Sequence, residues 1–278
     1  MKKIDFSIKE TKKIITLYKE GKTFKEIAKE YNVSQGTIQK IRTKEGIPVP
    51  SRQKHSVNTN IFDKVDTKEK AYWIGFLMAD CGVNDYSLQL EISQKDIDHL
   101  TKFKKFMNAS NPIKNTRKRC CRIEIYGKQF IKKISKHGLV PRKTLITTTP
   151  STISSELLSH FYRGILDGDG WTTSRKQYRK KNNQIYYIDK RTYEYGFSSG
   201  SEEFINQIHQ WLCDQMNQKR GYIIHRSQNG NSCYQLTFGG NNTFIKISKI
   251  LYKNTNKDIY LNRKYKKIQK SLKDISSY

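Results

Sequence analysis

No apolar run in the 278-residue chain approaches the roughly 20 residues that a membrane-spanning helix requires. The opening MKKIDFSIKE also lacks the apolar segment of a signal peptide. A membrane partner and secretion are therefore not expected. The five cysteines, at 81, 120, 121, 213 and 233, are odd in number and form no CxxC pair. That argues against a disulfide framework and a Cys-rich zinc site, and fits an intracellular, reducing compartment. The six histidines include no HExxH and no two placed four apart, so a His-based metal hydrolase is not expected. Acid is the other scarcity: 25 Asp+Glu against 53 Lys+Arg leave a net charge of +28. Such an excess calls for a polyanionic partner. With 35% hydrophobic and 12% aromatic residues the chain is globular, not a disordered basic tail.

Residues 1–47 stand apart, with three helical stretches at 9–20, 23–31 and 34–44. Within TFKEIAKEYNVSQGTIQKIR the apolar positions are Ile27, Ala28, Tyr31, Val33, Ile38 and Ile41. Small Ala28 suits a helix crossing, Asn32 a tight turn, and Ser34 an N-cap for the next helix. The segment resembles the helix-turn-helix of resolvases and many bacterial regulators. Its second helix would then present Gln35, Thr37, Gln39, Lys40 and Arg42 to base edges and phosphates. A bare three-helix module with a solvated basic face is the alternative. Pro48 and Pro50 end the third helix, and a polar linker is expected over 48–60.

Two segments of the remaining chain match each other. AYWIGFLMA, Ala71–Ala79, is a helix apolar on all sides and so buried on all sides. Asp66 and Glu69 suit its N-terminal cap, and it stops directly on Asp80. In HFYRGILDGDGW the pattern returns, with Gly164 matching Gly75, Gly168 matching Ala79 and Asp169 matching Asp80. Small residues four apart let two helices touch closely, which would bring both carboxylates to one end. A carboxylate at a helix C-terminus faces the negative pole of the dipole and needs a compensating cation. Two such acids together call for divalent metal.

GFLMADCG and YRGILDGDG resemble the two motif copies of single-chain LAGLIDADG homing endonucleases. The segment HGLVPRKTLITTTPSTISSELLSHFYRGILDGDG is also similar to intron- and intein-encoded members. The resemblance spans 61–272. It implies an α+β fold of two pseudo-symmetric αββαββα repeats, over 61–150 and 151–278, forming a saddle on double-stranded DNA. It further implies a monomer that makes a staggered cut at a long site, with Asp80 and Asp169 sharing two or three Mg²⁺ ions. Basic residues near the scissile phosphates are implied at Lys143 for one half, and at Lys264 or Lys257 for the other.

The strand-rich segments carry much of the charge. TRKRCCR supplies Arg117, Arg119 and Arg122, and the stretch 175–191 supplies Arg175, Arg179, Lys181 and Arg191. Asn229-Gly230 marks a hairpin turn, with Arg226 sharing a strand face with Tyr222 and Ile224. Two-stranded ribbons of this kind fit the major groove, most lysines touching phosphate rather than bases.

Two other readings stay open: a catalytically inactive or maturase-like relative that binds DNA or intron RNA, and a resolvase-like recombinase. The recombinase lacks a matching nucleophile motif. Self-splicing is not expected, because Met1 offers no splicing nucleophile and the chain ends in Ser-Tyr. The family has glycine after each metal-binding acid, and Gly170 obeys, but Cys81 stands there in the first copy. A strained Cys81 would weaken the first site and bias the enzyme toward nicking. Unequal strand cleavage in a supercoiled-plasmid time course is then expected, and equal rates would remove this idea.

Overall fold

The computed structural model describes residues 6–20, 22–46, 55–117, 119–181, 184–228 and 231–277. It divides into two compact units, Met1–Lys54 and His55–Tyr278. In the smaller unit, helices α1 (Ile8–Lys19), α2 (Phe24–Glu30) and α3 (Gln35–Lys44) start on Ser7, Thr23 and Ser34. Each hydroxyl accepts an otherwise unpaired backbone N–H of the first turn, and Glu10 and Glu26 complete reciprocal capping boxes. Asn32 makes the turn between α2 and α3 with φ 50°. Ile14, Ile27, Ala28 and Ile38 form the core, with Tyr31, Val33 and Ile41 packed against it.

Pro48, Pro50 and the linker through residue 54 lie outside the described residues, as does Asn229-Gly230. The expected linker does not extend to residue 60. Ser56 N–H donates to Ser110 Oγ at 2.8 Å and Asn58 N–H to the Met107 carbonyl at 2.9 Å, so this stretch is bonded into the larger unit.

The larger unit begins with α4 (Lys68–Asp80), followed by β1 (Cys81–Val83), β2 (Ser87–Ser93) and α5 (Ile97–Phe106). Then come β3 (Lys114–Asn115), β4 (Cys120–Tyr126) and α6 (Lys128–Ser135). The order recurs as α7 (Leu158–Gly168), β5 (Trp171–Lys181), β6 (Gln184–Ser199), α8 (Glu202–Met216), β7 (Tyr222–Gln228), β8 (Asn231–Gly239) and α9 (Asn241–Tyr252). Helix α10 (Asn262–Ser276) follows. Both sheets are antiparallel and have the same topology, β1-β2-β4-β3 and β5-β6-β8-β7. The chain is thus α+β with αββαββα twice. Period-two alternation divides the sheet faces: Leu88, Leu90, Ile123 and Ile125 are buried, while Gln89, Glu91, Arg122 and Glu124 point the other way. No helix among the described residues is long and apolar enough to cross a membrane.

Helices α4 and α7 pack directly on each other. Thr67, not Asp66 or Glu69, caps α4, its hydroxyl accepting from Lys70 N–H at 3.3 Å, while Asp66 pairs with the Lys70 ammonium at 2.7 Å. Every residue from Ala71 to Met78 is buried. A methyl group on Gly75 would sit 2.1 Å from the Phe161 carbonyl oxygen, and one on Gly164 would sit 2.2 Å from that of Tyr72. At Gly168 it would meet the Ala79 side chain at 2.3 Å. The obstacles at Gly75 and Gly164 are backbone, which cannot rotate away. Gly164→Ala is therefore expected to destabilise the fold by at least about 3 kcal/mol, the upper end of overpacking costs. Urea unfolding with an unchanged midpoint would contradict this contact.

Candidate active site

The contact between α4 and α7 delivers Asp80 and Asp169 to a common end. Asp80 is the last residue of α4 and half-buried; Asp169 caps α7 and is the more open to solvent. Burial, reinforced by the Asp169 charge, raises the Asp80 carboxyl to about 7 against the opposing pull of Lys264 and Lys143. Burial likewise raises Asp169 to about 6, again offset by Lys264 and Lys143. All four residues implied by the sequence resemblance therefore share one electrostatic neighbourhood.

The two lysines act as the cations that the helix ends need. Lys143, buried in a single-turn helix at Lys143–Leu145, donates to the Cys81 carbonyl just beyond α4. Lys264, on α10, donates to the carbonyls of Leu166, Gly168 and Gly170 at 2.8, 2.9 and 2.5 Å. An ammonium has three N–H donors, so Lys264 has none left for a substrate oxygen in this arrangement. Its influence on the acids is through its charge. Lys257, the other candidate, is exposed, and Lys264 is the one that reaches the acids.

Cys81 is not strained. Its φ of −94° and ψ of 144° are ordinary extended backbone, and its N–H closes α4 by donating to Leu77 O. At the second helix the chain coils one residue further before its strand, with Gly170 N–H donating to Leu166 O at 3.1 Å. A side chain on Gly170 would lie 2.7 Å from that oxygen. The glycine is thus needed where α7 overruns its acid, and not where α4 passes straight into β1. The strain on which the nicking expectation rested is absent.

A buried polar network supports this end of the helix pair, and sequence reading missed it. Asp167 is 1% exposed and accepts from Tyr72 OH at 2.9 Å, Tyr252 OH at 3.3 Å and Leu261 N–H at 2.7 Å. Burial raises its carboxyl, opposed first by Lys264. Arg163, wholly buried, donates to the carbonyls of Ile259 and Leu251 at 2.8 and 2.6 Å and lies 2.9 Å from His160 Nδ1. These bonds fasten residues 251–261 to α7 and aim the start of α10 at the acids. Arg263 then binds Asp96 through two nitrogens, Nη2 at 2.9 Å. Only the first acid of DGDG, Asp167, could have signalled any of this from sequence.

The residues expected to meet nucleic acid are scattered as surface groups. On α3, Gln35, Gln39 and Lys40 are exposed and Thr37 is half-buried, 2.9 Å from Ser34 Oγ, while Arg42 leans over the Phe24 ring at 5.8 Å. Arg117, Arg119, Arg191 and Arg226 are exposed, Arg175 lies 3.2 Å from Glu194, and Arg122 is held between Glu91 and Glu124. Arg179 and Lys181 lie on β5, their side chains outside the described ones.

No group of three or more His, Cys, Asp or Glu side chains suited to a metal occurs among the described residues. The donor set at the helix ends is two carboxylates. That fits magnesium, which binds through one or two carboxylates and otherwise keeps water or takes phosphate oxygens.

No family profile and no curated protein matches the chain. Among solved structures it is similar to the LAGLIDADG homing endonuclease I-LtrWI bound to target DNA, at 9% identity and TM-score 0.49, covering 79% of this chain and 92% of that one. It is similar to the LAGLIDADG homing endonuclease I-SmaMI bound to cleaved DNA, at 13% identity and TM-score 0.46, covering 73% and 87%. The LAGLIDADG meganuclease I-CpaMI bound to uncleaved DNA gives 11% identity and TM-score 0.44 over 74% and 92%.

The raised carboxyls make a stability prediction. Each acid holds its proton in the folded state to a higher pH than in the unfolded chain, so folding takes up protons between about pH 4 and 7. Stability contributed by these groups is full below pH 4 and lost as pH rises through 6 to 7. Without metal, Asp80→Asn should melt higher than wild type at pH 8 but not at pH 4. Magnesium should raise the wild-type melting temperature at pH 8 and do less for the variant. An identical pH profile for the two proteins would exclude this coupling.

Proposed function

We propose that the chain is a site-specific DNA endonuclease of the LAGLIDADG type, cutting both strands in a magnesium-dependent reaction. The observation that carries this reading is the convergence of Asp80 and Asp169 at the ends of two helices in backbone contact, on a chain with a net charge of +28. A purely structural acid pair would be expected to carry a fixed counter-ion. Here the nearest cations, Lys143 and Lys264, are tied to backbone carbonyls, and both carboxyls remain raised. Two carboxylates brought to one solvent-accessible end suit the oxygen ligands of a divalent ion.

Asp80 and Asp169 would hold the metal, which supplies an activated water and stabilises the leaving oxygen. Lys143, with one of its three donors on Cys81 O, keeps two that can reach a phosphate oxygen. Lys264 fixes the Leu166–Gly170 turn and thereby the position of Asp169. The outward sheet faces supply the groups that lie along the duplex, and the three-helix unit adds contacts to flanking DNA.

Incubation of the purified protein with a randomised duplex library and magnesium tests this directly. Cuts at one long site, lost with chelator and reduced on the order of 100-fold or more by Asp169→Asn, are the expected result. Tight sequence-specific binding with no cleavage in any divalent metal would overturn the enzymatic reading.

A further inference from the structure

The outward face of the first sheet carries an arginine fixed from two sides. Arg122 on β4 stands opposite Glu91 on β2, and Glu124 lies two residues along the same strand. Glu91 Oε2 accepts from Arg122 Nε at 2.8 Å and lies 2.6 Å from Nη2; Nη1 donates to Glu124 Oε1 at 3.3 Å. The carboxylates are themselves held. Thr116 Oγ1 donates to Glu91 Oε2 at 2.8 Å, Arg117 Nε lies 3.5 Å from Glu91 Oε1, and Tyr126 OH donates to Glu124 Oε2 at 3.0 Å. The Thr116 and Arg122 bonds keep the Glu91 carboxyl below its ordinary range, so it stays ionised.

A guanidinium has five N–H donors in one plane. Among the described residues, Nε and one hydrogen of each terminal nitrogen are taken. Each terminal nitrogen has a second hydrogen, on a side chain 28% exposed. The two carboxylates hold the guanidinium from two sides, and Arg117 near Glu91 and Lys114 opposite Arg122 offset their charge. The second sheet has no such arrangement among its described residues, where Arg175 meets a single carboxylate with its side chain 67% exposed.

Given the endonuclease reading above, on which this rests, we infer that Arg122 reads a guanine through its major-groove O6 and N7, with Glu91 and Glu124 as positioning residues that hold the fork in place. Guanine offers two acceptors in one plane and so needs a guanidinium held in a fixed plane, whereas a phosphate contact needs no such restraint. Glu91 also lines the cavity of about 280 Å³ that contains Asp80. The guanine therefore lies in the part of the site close to the cut, not at its outer end.

Sites selected from randomised duplex DNA by the full chain, with calcium in place of magnesium to hold binding without cleavage, provide the test. Wild type should show one guanine near the cut that Arg122→Gln no longer selects, with the other positions unchanged. Discrimination there should fall roughly 5- to 150-fold. Glu124→Gln keeps the arginine and should relax the same guanine while making binding more tolerant of sequence. A uniform loss of affinity in Arg122→Gln, with a shallower salt dependence and the same preferred site, would mark a phosphate contact and overturn the inference. An unchanged guanine preference in Glu124→Gln would overturn the positioning role. Absence of any sequence preference in wild type would instead overturn the endonuclease reading itself.

Discussion

Everything chemical in the larger unit depends on two helix backbones touching at Gly75 and Gly164. Ordinary helix pairs are separated by side chains on both surfaces and sit 8–10 Å apart. Here each glycine faces the carbonyl oxygens of the other helix with no room for a methyl group. Closeness at that level shortens the distance between the helix ends as well, and the acids follow. Two negative dipole ends and two carboxylates are then forced into one place, which explains why Lys143 and Lys264 both spend donors on terminal carbonyls.

This end of the molecule is therefore a balance between repulsion and restraint. Asp167 and Arg163, one helical turn apart on α7, are buried beside the acids and tie the helix to residues 251–261. Neither is bonded to the other; Asp167 is held by hydroxyl groups and backbone, and Arg163 by backbone and His160. A buried polar network of this kind is rigid because displacement strands a buried polar group. Rigidity there is what lets a repelling pair of carboxylates stay at fixed separation.

The helix pair was legible in the sequence because its signals are local: an uncharged nine-residue run, small residues four apart, and an acid at the end, occurring twice. The repeated strand and helix order followed from the resemblance that these two motif copies carry, and the three-helix unit from its caps and apolar spacing. What was not legible depends on residues far apart. Nothing near Arg263 announces Asp96, and TRKRCCR reads as a plain basic run until β2 places Glu91 against it. The Thr67 cap and the bonded stretch 55–60 were missed for a different reason. Several polar residues there could have served, and only the path of the chain decides between them.

The bonds made by the start of α10 have one more consequence. Arg263 with Asp96, and Lys102 with the Tyr260 carbonyl, join residues 167 and 158 positions apart. Lys264 lies between these anchors and the carbonyls that it caps. Contacts of such separation carry a high loop-closure cost and form against a slow search. A folding intermediate with both sheets complete would still leave the turn after α7 without its lysine. Assembly of the acid pair is thus coupled to long-range closures, so a partly folded chain does not carry a finished centre.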